Sequence, residues 1–327
     1  MAKTEGQKLR ILYLLRILRE ETDENHSLTV NELLSHLEKM GITSDRKSIY
    51  DDLSCLDGAG FDIARRRGRN GGVALLSREF EIAELKLLID MVQSSVFITE
   101  TKSKALIGKL TALASRHESA ALHRHVHIAG RVKTENEKIF YSVDKLNDAI
   151  TLERQVRFHY AERGGDGKKY YHRGGEYYQL SPWELQIDDG KYYLIVYDSV
   201  HDDFRHFRVD KMEDIEILDL PREGKRKMEE RELGDYASEI FGMFGGKPEL
   251  VILGLPESLA GVIYDRFGGD TRLRKVGNGR YECSVRVVPS ERFFGWLAGF
   301  GGELTLLSPD SVREKYRQMV EKVLKSF

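Results

Sequence analysis

Cationic and aromatic side chains are concentrated in residues 190–211, GKYYLIVYDSVHDDFRHFRVDK. Two apolar runs flank a polar stretch, and this pattern predicts two strands joined by a turn. The second run holds four basic side chains, Arg205, His206, Arg208 and Lys211. Guanidinium groups bind anions bidentately, and aromatic rings stack on planar groups. The segment therefore suits a ligand that is both planar and anionic, and nucleic acid has both properties.

Three helices and a hairpin are predicted over residues 1–78. The first helix has apolar residues at i, i+3, i+4 and i+7 from Ile11. The second begins at a capping box formed by Thr29 and Glu32, and the third begins with Ser44 as its N-cap. Only the four residues GITS join these two helices, as a helix-turn-helix requires. Asn70-Gly71 then marks a hairpin, so the pattern predicts a winged helix-turn-helix.

This architecture presents its third helix to the major groove and its hairpin to the phosphates or the minor groove. A helical wheel with the apolar stripe inward turns Lys47 outward. The duplex-DNA contacts that we predict are Ser44, Arg46, Lys47, Ser48, Tyr50, Arg65, Arg66, Arg67 and Arg69. A three-helix packing module with a solvated basic turn is the alternative.

Composition limits which classes of protein this chain can belong to. The 327 residues have a formal net charge of −2, so any nucleic-acid binding must come from local basic patches. Cys55 and Cys283 are the only cysteines, which argues against a disulfide framework. No apolar run reaches the roughly 18 residues of a membrane span, and the N-terminal run is amphipathic, unlike a signal peptide. We therefore expect a cytoplasmic protein that does not bind membranes.

Residues 79–153 read as a helical linker. His123, His125 and His127 alternate within it, and three imidazoles on one strand face could ligate a metal ion. An exposed polar strand face is the simpler interpretation, because no acidic or cysteine ligand is close in sequence. The chain has no P-loop, nucleophile elbow, G-x-G-x-x-G or H-E-x-x-H motif. We therefore predict no catalytic residue, no metal site, no cofactor and no enzymatic activity, with a metal-dependent enzyme as the weakest alternative.

Residues 154–220 contain several short alternating strands, a pattern typical of a small SH3- or Sm-like β-barrel. The motifs RFHY, LSPWEL and RHFRVD occur there in order, with the triplet Tyr192-Tyr193-Leu194 between the last two. The segment resembles a WYL domain, although its triplet starts with Tyr in place of Trp. Lys211 also stands where Arg is common in that family.

The resemblance implies a ligand-sensing domain, because some WYL domains bind single-stranded nucleic acid as an effector. The effector-binding residues expected from the motifs and the basic strand are Tyr160, Ser181, Trp183, Tyr193, Arg205, His206 and Arg208. A small anionic ligand is the alternative effector. Arg205 and Arg208 are three residues apart, so either a bulge brings them to one face or only one of them contacts the ligand.

Both ends of the chain resemble parts of the same class of regulator. Residues 1–78 resemble the winged helix-turn-helix of DeoR-like bacterial regulators, on the segments QKLRILYLLRIL, SDRKSIYDDLSCL and GRNGG. Residues 235–327 show the order βαββαβ and a final helix, which is ferredoxin-like. They resemble the C-terminal extension of WYL regulators, called WCX, above all in GFGGELTLLSPDSVREKY. A basic patch of Arg272, Arg274, Lys275 and Arg280 in this part is interpreted as a solvated face, with contact to a nucleic-acid effector as the alternative.

These observations together predict a multidomain α+β protein. Its parts are a winged helix-turn-helix (1–78), a helical linker (79–153), a WYL barrel (154–220) and a ferredoxin-like WCX domain (235–327). We expect a bacterial transcriptional regulator that forms a homodimer and binds an operator in duplex DNA. Its WYL domain is expected to sense single-stranded nucleic acid or a small anionic ligand.

Overall fold

The computed structural model describes residues 2–68, 71–122, 133–134, 136–229, 241–243 and 246–327. The chain divides into two compact units, Met1–Glu137 and Lys138–Phe327. Both units mix helices with β-strands. Among the described helices, none has both the length and the apolar character needed to cross a lipid bilayer.

Three helices and a two-stranded hairpin open the first unit. They are α1 (Ala2–Glu21), α2 (Val30–Lys39), α3 (Arg46–Gly58), β1 (Ile63–Arg65) and β2 (Val73–Leu75). The two strands are antiparallel and pair Ile63 with Leu75. Leu14 of α1, Leu33 of α2 and Leu53 of α3 are fully buried in one core. The predicted order of three helices and a hairpin is therefore present.

Local capping chemistry sets where these helices begin. The predicted capping box between Thr29 and Glu32 is confirmed at the start of α2. The predicted N-cap of α3, Ser44, is wrong by one residue, because Asp45 caps the helix. The Asp45 carboxylate accepts hydrogen bonds from both the amide and the hydroxyl of Ser48, each at 2.9 Å. The two oxygens of the Asp45 carboxylate each accept one of these hydrogen bonds.

Three further helices complete the first unit: α4 (Ile82–Ser94), α5 (Glu100–Thr111) and α6 (Arg116–Leu122). Polar contacts attach α6 to the segment that follows α1. The Ser115 hydroxyl donates to the carboxylate of buried Asp23 at 2.6 Å, and the rings of His26 and His117 stack at 3.7 Å. The three alternating histidines, His123, His125 and His127, lie outside the described residues.

The second unit begins with α7 (Ile139–Thr151) and a curled sheet. The strands are β3 (Arg154–Arg163), β4 (Lys169–Tyr171), β5 (Tyr178–Asp188), β6 (Lys191–Asp198), β7 (Asp203–Arg208) and β8 (Met212–Pro221). β3, β5, β6 and β7 pair in that order, and β8 returns to pair with β3. A 3-10 turn, Val209–Lys211, makes that return possible. Val156 and Phe158 are fully buried on the inner face, as their alternation predicts.

The rest of the second unit is a four-stranded antiparallel sheet with helices. Its elements are α8 (Lys225–Glu229), β9 (Glu249–Pro256), α9 (Ala260–Phe267), β10 (Arg274–Gly277), β11 (Arg280–Val287), α10 (Glu291–Ala298), β12 (Thr305–Ser308) and α11 (Asp310–Leu324). The strand order is β10-β11-β9-β12. Leu253 and Val287 of the sheet pack with Phe293 and Leu297 of α10 in one core. β10 pairs with β11 only from Arg274 onward, and the residues before Arg274 lie outside the ladder.

Candidate functional site

The start of α3 presents polar side chains, while its opposite face is buried. Arg46 and Lys47 are exposed and Tyr50 is 48% exposed, whereas Ile49 and Leu53 are fully buried. The Arg46 guanidinium donates to the side-chain oxygen of Asn31 on α2 at 2.7 Å. Ser44 and Ser48 are partly buried at the N-terminus of α3, where Ser48 contacts the capping carboxylate. The residues expected on this helix therefore share one surface.

An ion pair fixes α3 against α1. The guanidinium of Arg10 binds the carboxylate of Asp52 through two hydrogen bonds, and Asp52 is 7% exposed. The hydrogen bond to Asp52 is the main cause that raises the pKa of Arg10 above its ordinary value. A two-point contact between two helices resists sliding and rotation of one against the other. The exposed start of α3 is therefore held on a rigid support.

The hairpin presents the second set of predicted DNA contacts. Arg65 donates to the hydroxyl of Ser54 on α3 at 3.1 Å. Arg66 donates to the backbone carbonyl of Glu24. Arg67 is exposed and forms no hydrogen bond or ion pair with the residues that the structure describes. Arg69 lies outside the described residues. Arg65 thus connects the hairpin to the helix that carries Lys47.

Arg205 lies over the aromatic interior of the curled sheet. Its guanidinium is 5.0 Å from the ring centre of Phe207 and 5.8 Å from that of Tyr178. It also donates to a carboxylate oxygen of Asp198 at 2.8 Å. Asp198 is 2% exposed. Burial alone would raise the pKa of Asp198, but hydrogen bonds from Arg205 and His201 outweigh it, and the pKa lies below its ordinary value.

Two residues that the sequence analysis did not select join this group. The guanidinium of Arg173 lies 4.3 Å from the ring centre of Tyr178 and has no acidic partner among the described residues. His201 contacts the same oxygen of Asp198 as Arg205 does, at 2.8 Å. Arg173 adopts a positive φ of 54° before Gly174 and Gly175. A cation next to a glycine pair in a short loop was the available sequence signal.

Tyr160 belongs to the same aromatic group. Its ring is edge-on to Phe207 at 5.1 Å, and its hydroxyl accepts a hydrogen bond from the backbone amide of Arg208 at 3.3 Å. Burial raises the pKa of Tyr160 to about 12, so the hydroxyl is neutral at physiological pH. Tyr160 and Arg205 are therefore brought together across Phe207 and Tyr178.

Arg208 is directed away from Arg205. β7 pairs with β6 without a register shift from Asp203 to Arg208, so no bulge brings the two arginines to one face. Residues three apart on a regular strand lie on opposite faces. Arg208 instead binds both carboxylate oxygens of Asp210, at 3.0 and 2.7 Å, and lies opposite Tyr193 on β6. The bulge alternative for this pair is wrong.

His206 and Lys211 are the other two basic residues of the segment that contains Arg205 and Arg208. His206 lies opposite Ile195 in the β6–β7 ladder and is partly buried. Lys211 binds the carboxylate of Glu162. Hydrogen bonds from Lys211 and from the Tyr170 hydroxyl lower the pKa of Glu162 to about 2. The charge of Lys211 is therefore balanced within the domain.

Ser181 and Trp183 contact the chain that leaves β8. The Ser181 hydroxyl accepts from the amide of Glu223, and the Trp183 indole donates to its carbonyl, each at 2.9 Å. The guanidinium of Arg222 lies 3.8 Å from the centre of the Trp183 indole. These two residues are thus engaged with the 222–223 segment, apart from the group around Arg205.

Two family models match the second unit. The model of the WYL domain matches residues 142–217, and that of the WCX domain matches residues 247–324. This chain contains a WYL domain and a WCX domain. The WYL match begins within α7, which packs on β3, β5 and β8, and it includes the group around Arg205.

Two known proteins are similar to this WYL-domain protein over most of its length. The "Uncharacterized HTH-type transcriptional regulator YobV" of Bacillus subtilis (strain 168) is 24% identical over 301 residues, which cover 86% of this chain and 89% of the relative. The solved structure of proteasome accessory factor B/C (PafBC) of Arthrobacter aurescens is 18% identical, with a TM-score of 0.29. That alignment covers 97% of this chain and 48% of the other, so this chain spans about half the length of that protein.

Proposed function

We propose that this WYL-domain protein is a transcriptional regulator that binds duplex DNA through its first unit. The observation on which this rests is the exposed, capped start of α3, with Arg46 and Lys47 over a buried apolar face and Arg65 of the hairpin beside it. The name of the Bacillus subtilis relative, an HTH-type transcriptional regulator, supports the same function. On this proposal residues 1–78 are a winged helix-turn-helix.

Each part of this surface has a distinct role in the proposed complex. Lys47, Ser48 and Tyr50 contact base edges in the major groove, since they lie at the N-terminal half of α3. Arg66 and Arg67 contact phosphates from the hairpin. Arg66 exchanges its hydrogen bond with the carbonyl of Glu24 for one to a charged phosphate oxygen, which is the stronger acceptor. Such phosphate contacts add affinity without sequence preference.

The WYL domain is proposed to bind the effector at the group around Arg205. Arg205 and Arg173 supply guanidinium groups near the Tyr178 ring, which is buried together with that of Phe207. Asp198 balances one of the two charges, so the group retains about one positive charge for an anion. A phosphate bound by these guanidinium groups is the anionic part of single-stranded nucleic acid. A small anionic ligand with a planar group uses the same contacts.

The regulator is proposed to act as a cytoplasmic homodimer. Helix-turn-helix dimers contact half-sites about 34 Å apart, so a change in the placement of the two winged helices changes operator affinity. Effector binding that favours one placement is thermodynamically coupled to operator binding, and the coupling is reciprocal. The helical part between residues 79 and 153 is the proposed connection.

The domain assignments follow the same proposal. Strand order supports an SH3- or Sm-like barrel for residues 154–220, because a meander of four strands is followed by a 3-10 turn and a strand that returns to the first. The antiparallel order β10-β11-β9-β12, with two crossover helices, supports a ferredoxin-like fold for residues 235–327.

Duplex binding is tested by fluorescence anisotropy with labelled genomic DNA fragments at two salt concentrations. The double variant Arg66→Ala/Arg67→Ala is expected to bind all sequences about tenfold or more weakly and with a smaller salt dependence. Lys47→Ala is expected to change the preferred sequence. Lys104→Ala is the matched control, since this exposed lysine lies on α5 and pairs only with Glu100. Wild-type duplex affinity in the double variant contradicts the proposed surface.

Effector binding is tested with a labelled single strand and, as competitors, unlabelled strand and small phosphorylated compounds. Arg205→Ala is expected to lose salt-dependent binding of the strand. Arg157→Ala is the matched control, because Arg157 pairs with Glu216 on an exposed part of the same domain. Binding of a small phosphorylated compound without binding of the strand indicates a small-molecule effector. Equal binding by Arg205→Ala and wild type contradicts the proposed site.

A further inference from the structure

A cavity of about 740 Å³ lies beside β11 in the WCX domain, and the proposed regulator function assigns it no role. Its volume lies within the range of small-molecule sites. The lining residues are three arginines, two acids, two hydroxyl residues and an apolar wall: Arg272, Arg274, Arg286, Asp270, Glu282, Thr271, Ser284, Ile252, Phe267, Cys283 and Val285.

The cavity exists because the β10–β11 ladder ends early. Arg274 pairs with Glu282, and residues 270–273 then diverge from β11. From Cys283 to Val287, β11 pairs with β9 on one side, and no described strand pairs with its other side. A strand edge without a partner presents main-chain N–H and C=O groups. The cavity therefore has backbone donors along one wall.

The charged side chains of the cavity leave one guanidinium uncompensated. Arg274 binds the carboxylate of Glu282 across the ladder. Arg272 is exposed and has no hydrogen-bond or ion-pair partner among the described residues. Continuing the register of Arg274 and Glu282 places Arg272 across the gap from Ser284. Arg286 supplies a third guanidinium two residues further along the same edge.

The opposite part of the cavity is apolar. Ile252 and Phe267 are partly buried and line the cavity. Phe267 packs against the core of this domain, which holds its ring in place. A ligand with an anionic end and a ring can therefore make both kinds of contact in one pose.

We propose that this cavity binds a small phosphate monoester that carries an apolar ring. A phosphate monoester has three terminal oxygens, which can accept from the Arg272 guanidinium, from the Ser284 hydroxyl and from the edge of β11 at once. A phosphate monoester carries more negative charge than a carboxylate, so it is the stronger partner for guanidinium groups. The ring contacts Ile252, which pairs with Ser284 across the β9–β11 ladder. The site is separate from the group around Arg205 and does not depend on its role.

Isothermal titration of the full-length protein with phenyl phosphate tests the proposal. Wild type is expected to bind saturably, inorganic phosphate more weakly, and phenol not at all. Arg272→Ala is expected to bind phenyl phosphate about tenfold or more weakly, because it removes a charge-assisted bidentate contact. Ser284→Ala is expected to weaken binding severalfold. Circular dichroism of each variant reports whether it is folded.

Two controls make the result decisive. Lys275→Ala removes a neighbouring cation that lies 5.9 Å from the Tyr281 ring centre and does not line the cavity, so its affinity is expected to match wild type. Binding of phenyl phosphate that is lost in Arg205→Ala and kept in Arg272→Ala assigns the compound to the WYL site and overturns the proposal. No saturable binding by wild type, equal binding by Arg272→Ala, or an equal loss in Lys275→Ala each overturns the proposal.

Discussion

At the scale of single residues, Asp198 determines the position of Arg205. Its buried carboxylate accepts hydrogen bonds from Arg205, from His201 and from the amide of Val200. A carboxylate with this many donors is stabilised in its charged form, which explains why its pKa is lowered despite burial. Asp198, which orients Arg205, is thus itself held in place by Val200 and His201 of the turn between β6 and β7.

Asp198→Asn is expected to lower the free energy of unfolding by about 1–3 kcal/mol at pH 7. The substitution removes the buried negative charge that accepts hydrogen bonds from Arg205 and His201. Because the folded pKa of Asp198 lies below 3.8, its stabilising contribution is complete above that value and is lost as the pH falls below it. The difference in urea midpoint between variant and wild type should therefore narrow towards pH 3. Asp189→Asn, at an exposed turn position, is the control and should match wild type throughout. A difference that is constant with pH contradicts this role.

Residue types alone identified the basic and aromatic positions but not their partners. Arg205, Tyr160 and Tyr178 meet only because β3, β5 and β7 curl around one interior. Ser181 and Trp183 instead contact the 222–223 segment, which is about 40 residues away in sequence. A motif shows that a side chain is present, and the fold decides which group it contacts.

At the scale of elements, the N-terminus of α3 depends on its cap. Asp45 caps the helix with two hydrogen bonds to Ser48, and these hydrogen bonds are the main cause that lowers the pKa of Asp45. Ser44 precedes the cap and donates only to the backbone carbonyl of Asp45, at 3.4 Å. The two neighbouring residues therefore differ sharply in what they contribute to the helix.

Asp45→Ala is expected to lower the free energy of unfolding by about 1 kcal/mol, the usual cost of a lost N-cap. Ser44→Ala is the matched control and is expected to change it by less than about 0.5 kcal/mol. Urea denaturation followed by circular dichroism measures both. A larger loss in Ser44→Ala than in Asp45→Ala contradicts the assignment of the cap.

Element types and order were largely predictable, because they follow from periodicity and turn chemistry within a few residues. Ile49 and Leu53 of α3 and Val156 and Phe158 of β3 are buried, in keeping with the helical and alternating periodicity of those segments. Boundaries were less predictable. The start of β10 at Arg274, for example, depends on where its residues pair with β11.

At the scale of the whole molecule, the WYL and WCX domains share a hydrophobic cluster. Val288, which directly follows β11, packs in one cluster with Ile195, Phe204 and Met228. All four side chains are less than 10% exposed. A shared core of this kind makes two domains unfold as one cooperative unit.

Val288→Asp is expected to uncouple the two domains, because it places a charge in this cluster. Trp183 in the WYL domain and Trp296 in the WCX domain are the only tryptophans, so Trp183→Phe and Trp296→Phe provide single-tryptophan reporters. Their urea midpoints should coincide with Val288 intact and separate in the Val288→Asp background. Val276→Asp, at a strand position that is 45% exposed, is the control. Coincident midpoints in Val288→Asp contradict the coupling.

The sequence by itself determined the elements, the basic and aromatic inventory and the resemblance to WYL and WCX domains, because all three depend on local pattern. Tertiary structure alone decided that Arg205 binds Asp198 and lies over Phe207, that Arg173 joins it, and that Arg208 faces away. It also decided that the β10–β11 ladder ends at Arg274 and leaves a cavity. These features depend on strand register and on contacts between distant residues, which no local pattern encodes.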